Sequence, residues 1–176
     1  MRILLTVGHS KLKNGCITSA DGTKMGGGNE YIFNKSFSKY LETALEEKGH
    51  EVDRVICPEK QFTKWQDERT YKLAIEHATD YNLVIELHCN AGSKSANGCE
   101  VLYKSAKGKK YADKVQKQLS KVFKDRGAKQ SNSLYILNQT KAPAILLETF
   151  FCTNKNEWEY ATKNKKKIAE LIAEAI

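Results

Sequence analysis

Short apolar runs alternate with longer amphipathic stretches from one end of the chain to the other. Runs rich in β-favouring residues predict strands near 2–7, 51–57, 82–88, 99–104, 134–138 and 144–150. Between them the apolar spacing changes to the helical period. Over residues 29–48, Phe33, Phe37, Leu41 and Ala44 fall on one face, and Gly49 stands where a left-handed C-terminal cap belongs. Further helices are predicted near 65–79, 107–125 and 156–175. Strands alternating with helices predict an α/β fold: a single-domain twisted, mostly parallel sheet of about six strands, flanked by helices on both faces. No internal repeat, low-complexity tract or Pro/Gly/Ser linker interrupts the pattern.

Composition narrows this reading. A chain of 176 residues, 40% hydrophobic and with two prolines, has the makings of one well-filled core. No apolar run approaches the length of a membrane span. The opening residues MRILLTVGHS lack a small-residue cleavage site and read as a first strand rather than a signal peptide, so synthesis and folding in the cytoplasm are expected. The five cysteines, Cys16, Cys57, Cys89, Cys99 and Cys152, form no CxxC pair, and reduced thiols are expected.

The net charge of +8 is unevenly placed. Residues 104–129 hold ten Lys/Arg against two Asp, leaving 19 of each sign elsewhere. On the helix predicted there, Lys110, Lys114, Lys117, Lys121 and Lys124 oppose Tyr111, Val115, Leu119 and Val122. A solvated outer face is the ordinary reading of such a stripe. The sharper one is a dock for a polyanion. No aromatic residues are interleaved to stack bases, which disfavours nucleic acid, whereas an anionic cell-wall polymer would fit.

In open α/β sheets, functional groups gather at the carboxyl ends of parallel strands and at the starts of the helices that follow. His9 closes the first predicted strand and His88 closes NLVIELH; Glu148 lies within AILLETFF and Glu30 opens the first helix. A single strand-end histidine is usually structural, and Glu30 alone could simply face the helix dipole. Glu148 and Glu86 are harder to dismiss, because ionised carboxylates in central strands need compensating charge. A metal would supply it. Two histidines, one carboxylate and an open position make the ligand set of a catalytic zinc site, with a further carboxylate as general base. His9, Glu30 and His88 are the candidate ligands and Glu148 the candidate base, with Gly8 leaving room for metal and substrate. No HExxH occurs, and His50 and His77 read as structural or surface residues.

These residues resemble the zinc-dependent N-acetylmuramoyl-L-alanine amidases of the type-3 group. VGHS matches the opening Gly-His strand, and NEYIFN matches the helix-starting glutamate with an asparagine, Asn34, four residues on. LHCNA, GCEVLY and LETFFCTN match the later motifs in the same order over essentially the whole chain. The resemblance implies that His9, Glu30 and His88 bind one Zn2+ and that Glu148 activates water and protonates the leaving amine. It implies supporting roles for Asn90 and Glu100. The reaction it implies is hydrolysis of the amide between N-acetylmuramic acid and L-alanine in peptidoglycan. Ser10 and Phe150 stand where glycines are common, and Glu86 replaces a small residue; as a second acid near the metal it would serve as a supporting partner.

Only CNAGSKSANG separates the second histidine strand from the next, too short for a covering helix. A constitutively open wall hydrolase without an export signal suits a phage endolysin, or a sporulation amidase freed by mother-cell lysis. Residues 1–176 are then expected to be a catalytic domain whose wall-binding domain lies outside this sequence. A zinc peptidase cutting within the stem peptide is the alternative reading. A non-enzymatic polyanion-binding module, built on Gly26, Gly27 and Gly28 with the lysine stripe, is the lower one. Neither nucleic acid nor membrane insertion is expected.

Overall fold

The computed structural model describes all 176 residues. Six strands form one sheet: β1 (Arg2–Val7), β2 (Glu51–Val55), β3 (Leu83–Asn90), β4 (Cys99–Tyr103), β5 (Asp125–Gln130) and β6 (Ala144–Phe151), in the spatial order β2-β1-β3-β6-β4-β5. β1 pairs in parallel with β2 and β3, and β3 with β6. β4 runs antiparallel to β6 and parallel to β5. The helices are α1 (Glu30–Glu47), α2 (Gln66–Ala78), α3 (Ala106–Leu119), α4 (Tyr135–Asn138), α5 (Lys155–Lys163) and α6 (Lys165–Ala173).

The alternation of β3 divides the molecule into two layers. Leu83, Ile85, Leu87 and Cys89 point into a core of 27 buried residues, which α1, α3 and α6 close with Phe33, Phe37, Leu41, Ala112, Val115, Ile168 and Ile172. Val84 points the other way, with Leu4, Ala144 and Leu146, into a cluster of seven that also holds Ile136 and Leu137 of α4, with Ile75 of α2 packed against it. Helices therefore cover both faces, but unequally. No helix is long and apolar enough to cross a membrane.

Five predicted strands form within a few residues of the expected positions. The sixth does not: residues 134–138 form α4, a single turn that buries Ile136 and Leu137. Its place in the sheet is taken by Asp125–Gln130, a polar edge strand with a register shift opposite Cys99/Val101 and Gly127 at φ 86°. The helix expected to run to 125 ends at Leu119. All five lysines of the stripe are exposed, but Lys121 and Lys124 lie beyond the helix rather than on it. The helix expected over 156–175 is two helices broken at Asn164, whose side-chain amide donates to the Tyr160 carbonyl at 2.8 Å in competition with the helical ladder.

All five cysteines are free; Cys16 is exposed and the other four are buried. Of the three glycines before α1, Gly26 adopts φ 90° and the other two are fixed by packing. A Cβ on Gly27 would come within 1.8 Å of the Cys152 carbonyl oxygen, and one on Gly28 within 2.1 Å of the Trp158 ring. Their amides donate internally, Gly26 to Thr23, Gly27 to Gly22 and Gly28 to Cys152. With those N–H groups already partnered, the loop has no anion cradle to offer.

Candidate active site

His9 follows β1, His88 lies near the end of β3, Glu148 lies on β6 and Glu30 is the first residue of α1. The parallel arrangement of these strands brings their carboxyl ends to one edge of the sheet. Asn29 caps α1 by accepting from the Ile32 amide at 3.1 Å, which fixes where the helix starts and so where Glu30 stands. Glu30 is 3% exposed and spans both imidazoles: Oε2 lies 3.1 Å from His9 Nε2, and Oε1 lies 3.0 Å from His88 Nδ1. The backbone amides of Ala20 and Cys89 also donate to it, at 3.2 and 2.9 Å. Burial raises the Glu30 pKa, but the hydrogen bonds from His88 and His9 outweigh it and hold the carboxyl well below its usual range.

One donor atom from each of His9, Glu30 and His88 lies within 4.8 Å of the others. Two imidazole nitrogens and an ionised carboxylate, converging and partly open to solvent, are a donor set that fits a divalent cation of the zinc type. The two rings meet edge to face with centroids 4.8 Å apart.

Two features hold this geometry. His9 adopts φ 70°, a left-handed conformation costing about 1–2 kcal/mol for a residue with a Cβ. The space at Gly8, expected from the sequence to serve metal and substrate, is instead taken up by the ring of His88. A Cβ there would fall 2.2 Å from His88 Cε1.

Glu148 is the cross-strand partner of His88 on one side and of Glu100 on the other. Its Oε2 is sealed from solvent without a hydrogen-bond partner. Burial, with Glu30 and Glu100 nearby and only partly opposed by His88, pushes its pKa up to about 7. A carboxyl poised there exchanges a proton readily near neutral pH. Directly after Glu148 the β3–β6 register slips by one residue. This bulge turns Phe150 and Cys152 into the large core, where Phe150 packs against Phe33, Phe123 and Trp158. Ser10, the other departure at a glycine position, is buried and bonded through its backbone amide to Thr18 Oγ1 at 3.1 Å.

Asn90 donates to Glu100 Oε1 at 3.2 Å, while Arg126 and Lys129 pair with Glu100 Oε2 at 2.9 and 2.5 Å. Burial raises the Glu100 pKa, and the two cations more than reverse it. Asn34 is buried and reaches Cys89 Sγ at 3.5 Å, tying α1 to β3. His50 meets the N-terminal amine and His77 the Gln139 carbonyl, both away from the cluster. Lys110 and Lys114 line a cleft beside Met1, Asn82 and Pro143, at the amino ends of the strands and so at the opposite edge of the sheet.

Glu86 needs the compensating charge that its buried position implied, but a lysine supplies it. Lys72 Nζ lies 2.8 Å from Glu86 Oε2. Sequence reasoning missed Lys72 because it sits on an amphipathic helix among polar neighbours. The available signal was Glu68, four residues earlier, forming an i, i+4 pair on the same face as Lys72.

A family profile described as N-acetylmuramoyl-L-alanine amidase matches residues 3–176. Among solved structures, the catalytic domain of an endolysin targeting Clostridia Difficile is 47% identical, with a TM-score of 0.95 over 99% of this chain and 96% of that one. An N-acetylmuramoyl-L-alanine amidase of Nostoc punctiforme shares the fold at 23% identity, with a TM-score of 0.81 over 100% and 94% of the two chains. A probable autolysin of Staphylococcus aureus is 28% identical over 99% of this chain but only 38% of its own length, so the chain spans well under two thirds of that relative. A second curated relative, an uncharacterized protein of Clostridium perfringens, is 29% identical over 100% of this chain and 51% of its own length. The chain belongs to the N-acetylmuramoyl-L-alanine amidase family.

Proposed function

We propose that this amidase-family chain hydrolyses the amide joining the lactyl group of N-acetylmuramic acid to L-alanine in bacterial peptidoglycan, and that residues 1–176 form its catalytic unit. The reading rests on one observation above all: the His9, Glu30 and His88 donors converge beside Glu148, whose buried Oε2 has no partner. One Zn2+ held by those three residues would supply Lewis acidity to the scissile carbonyl and make water a usable nucleophile near neutral pH.

The chain's own groups do the rest. Glu148 takes a proton from the attacking water and passes it to the amide nitrogen as the C–N bond breaks, releasing a lactyl carboxylate and a free alanine amine. Its pKa of about 7 suits both transfers. Glu100, held ionised by Arg126 and Lys129, keeps negative charge beside Glu148 and favours its protonated form. Asn90 fixes Glu100, and Glu30 holds both imidazoles in register. Lysis of the cell wall is the role this activity serves, as in an endolysin or autolysin. The exposed lysines of α3 are the surface for an anionic wall polymer.

Digestion of purified peptidoglycan followed by mass spectrometry tests this directly. New L-alanine amino termini and peptide-free glycan strands are expected, and their loss with a zinc chelator. Cleavage inside the stem peptide instead would make the protein a peptidase. One equivalent of zinc by elemental analysis is expected in the purified protein.

A further inference from the structure

Both candidate histidine ligands lead back to a single buried ammonium. Lys72, fully buried on α2, lies 2.6 Å from Glu68 Oε1 and 2.8 Å from Glu86 Oε2. The other oxygen of Glu86, Oε1, lies 3.1 Å from His88 Nε2 and engages that nitrogen, so Nδ1 faces Glu30. Glu68 Oε1 accepts the backbone amide of His9 at 3.0 Å, at the residue that holds φ 70°. Two hydroxyls complete the set: Thr6 donates to Glu86 Oε2 at 3.0 Å, and Tyr135 to Glu68 Oε1 at 3.2 Å.

We infer that Lys72 is a positioning residue for the metal centre, aiming the ring of His88 through Glu86 and the backbone of His9 through Glu68. The inference rests on the proposed reading of His9, Glu30 and His88 as metal ligands. A hydrogen bond to the nitrogen remote from a metal fixes the tautomer and orientation of an imidazole and raises its basicity. Glu86 is placed to do this for His88. A bare glutamate there would be an uncompensated buried charge, and Lys72 makes it tenable. On the His9 side, the same cation anchors the carboxylate that stabilises a left-handed backbone turn. Because one residue serves both arms, α2, an element that carries no ligand of its own, acts on both imidazoles from behind while Glu30 spans them in front. A buried ion network is a weak source of stability, since apolar residues of similar volume often do as well. Its distinguishing property here is that both ends terminate on the histidines.

The test compares wild-type protein with Lys72→Met and Glu86→Gln, measuring Zn2+ affinity by chelator competition and the visible spectrum of the Co2+ form. The melting temperature of each metal-free protein is read alongside. Zn2+ affinity is expected to fall about 10- to 100-fold in both variants, with altered cobalt absorption. A purely structural role would lower the melting temperature and leave affinity and spectrum alone. Glu86→Gln removes the negative charge that Lys72 and His88 share while leaving Lys72 paired with Glu68, so it carries the test if Lys72→Met does not fold. A folded Glu86→Gln protein with wild-type affinity and cobalt spectrum overturns the inference. Wild-type protein that binds neither ion overturns instead the reading of the metal centre on which it rests.

Discussion

The two faces of the sheet are built from the same strands, yet they are made of different material. On the face covered by α1, α3 and α6, successive inward residues of β3 are Leu83, Ile85, Leu87 and Cys89, all in the large apolar core. On the other face they are Val84, Glu86, His88 and Asn90, apolar at the amino end and ionisable or polar toward the carboxyl end. β1 repeats the change from Leu4 to Thr6, and β6 from Leu146 to Glu148. The strand period of two therefore separates stability from chemistry by a single residue step. The dry face fixes the strands, and the mixed face uses that rigidity to hold Glu86, His88 and Glu148 in position.

Substitutions on the two faces should fail in different ways, and the largest effect belongs to Glu148. Glu148→Gln keeps the shape of the side chain but removes its proton-transfer capacity. Turnover of peptidoglycan is expected to fall about 10²- to 10⁴-fold. Metal binding and melting temperature should stay close to wild type. Retained turnover would move the proton chemistry to another residue. On the opposite face, Leu87 sits between Glu86 and His88 in sequence but points into the dry core. Leu87→Ala is expected to lower folding stability by about 2–5 kcal/mol in urea denaturation. The folded fraction should still bind zinc. Loss of metal affinity without loss of stability would break the division between the faces.

Alkali should probe buried thiols on both faces, Cys57 beside Lys72 as well as Cys99 and Cys152 in the large core. Cys99 and Cys152 both belong to the large core, and burial pushes their thiols from 9.0 up to about 12. In the unfolded chain each ionises near its ordinary value, so between those limits the unfolded state binds fewer protons than the folded one. Their contribution to stability is therefore complete below about pH 9 and declines as pH rises, by up to about 1.4 kcal/mol per pH unit for each thiol. Urea midpoints measured across that window should fall in wild-type protein, and the slope should flatten in Cys99→Ala and Cys152→Ala. An unchanged slope in both variants would mean these two thiols are not the titrating groups.

The same division explains what could be read from the sequence. Strands buried on both faces announce themselves as apolar runs, and their ends placed His9, His88 and Glu148 on one edge. Asp125–Gln130 carries no such signal, because as an edge strand it is largely exposed and bulged at Gly127, with Arg126 and Lys129 turned toward Glu100. Residues 134–138 carry a misleading one. Their aromatic and β-branched composition suits a strand, but burial of Ile136 and Leu137 against the sheet is achieved by one helical turn. Lys72 was hidden for a related reason: nothing in local periodicity distinguishes a lysine facing solvent from one facing two carboxylates on a mixed face. The i, i+4 spacing from Glu68 and the demand of Glu86 for a positive charge both pointed toward it, but a solvated surface pair and a metal satisfied those signals equally well.

The smallest expected effect concerns the outside of the dry face. α3 buries Ala112, Val115 and Leu119 and turns Lys110, Lys114 and Lys117 to solvent. Lys107, Lys110 and Lys114 line a cleft of about 600 Å³ with Tyr81 and Tyr111, at the amino ends of the strands. A wall polymer held there would leave the opposite edge, with His9 and Glu148, free to act. Docking should therefore affect retention on the wall and not the chemical step. Exposed charges are screened over about 10 Å at 0.1 M salt. Replacing Lys110, Lys114 and Lys117 with glutamine should weaken binding to intact walls about two- to tenfold at low ionic strength and little at high. Hydrolysis of a soluble muramoyl-peptide fragment should be unchanged. A fall in that hydrolysis would tie the lysines to the site itself, and an unchanged binding curve would leave them as the solvated coat of a helix whose work is done on its other side.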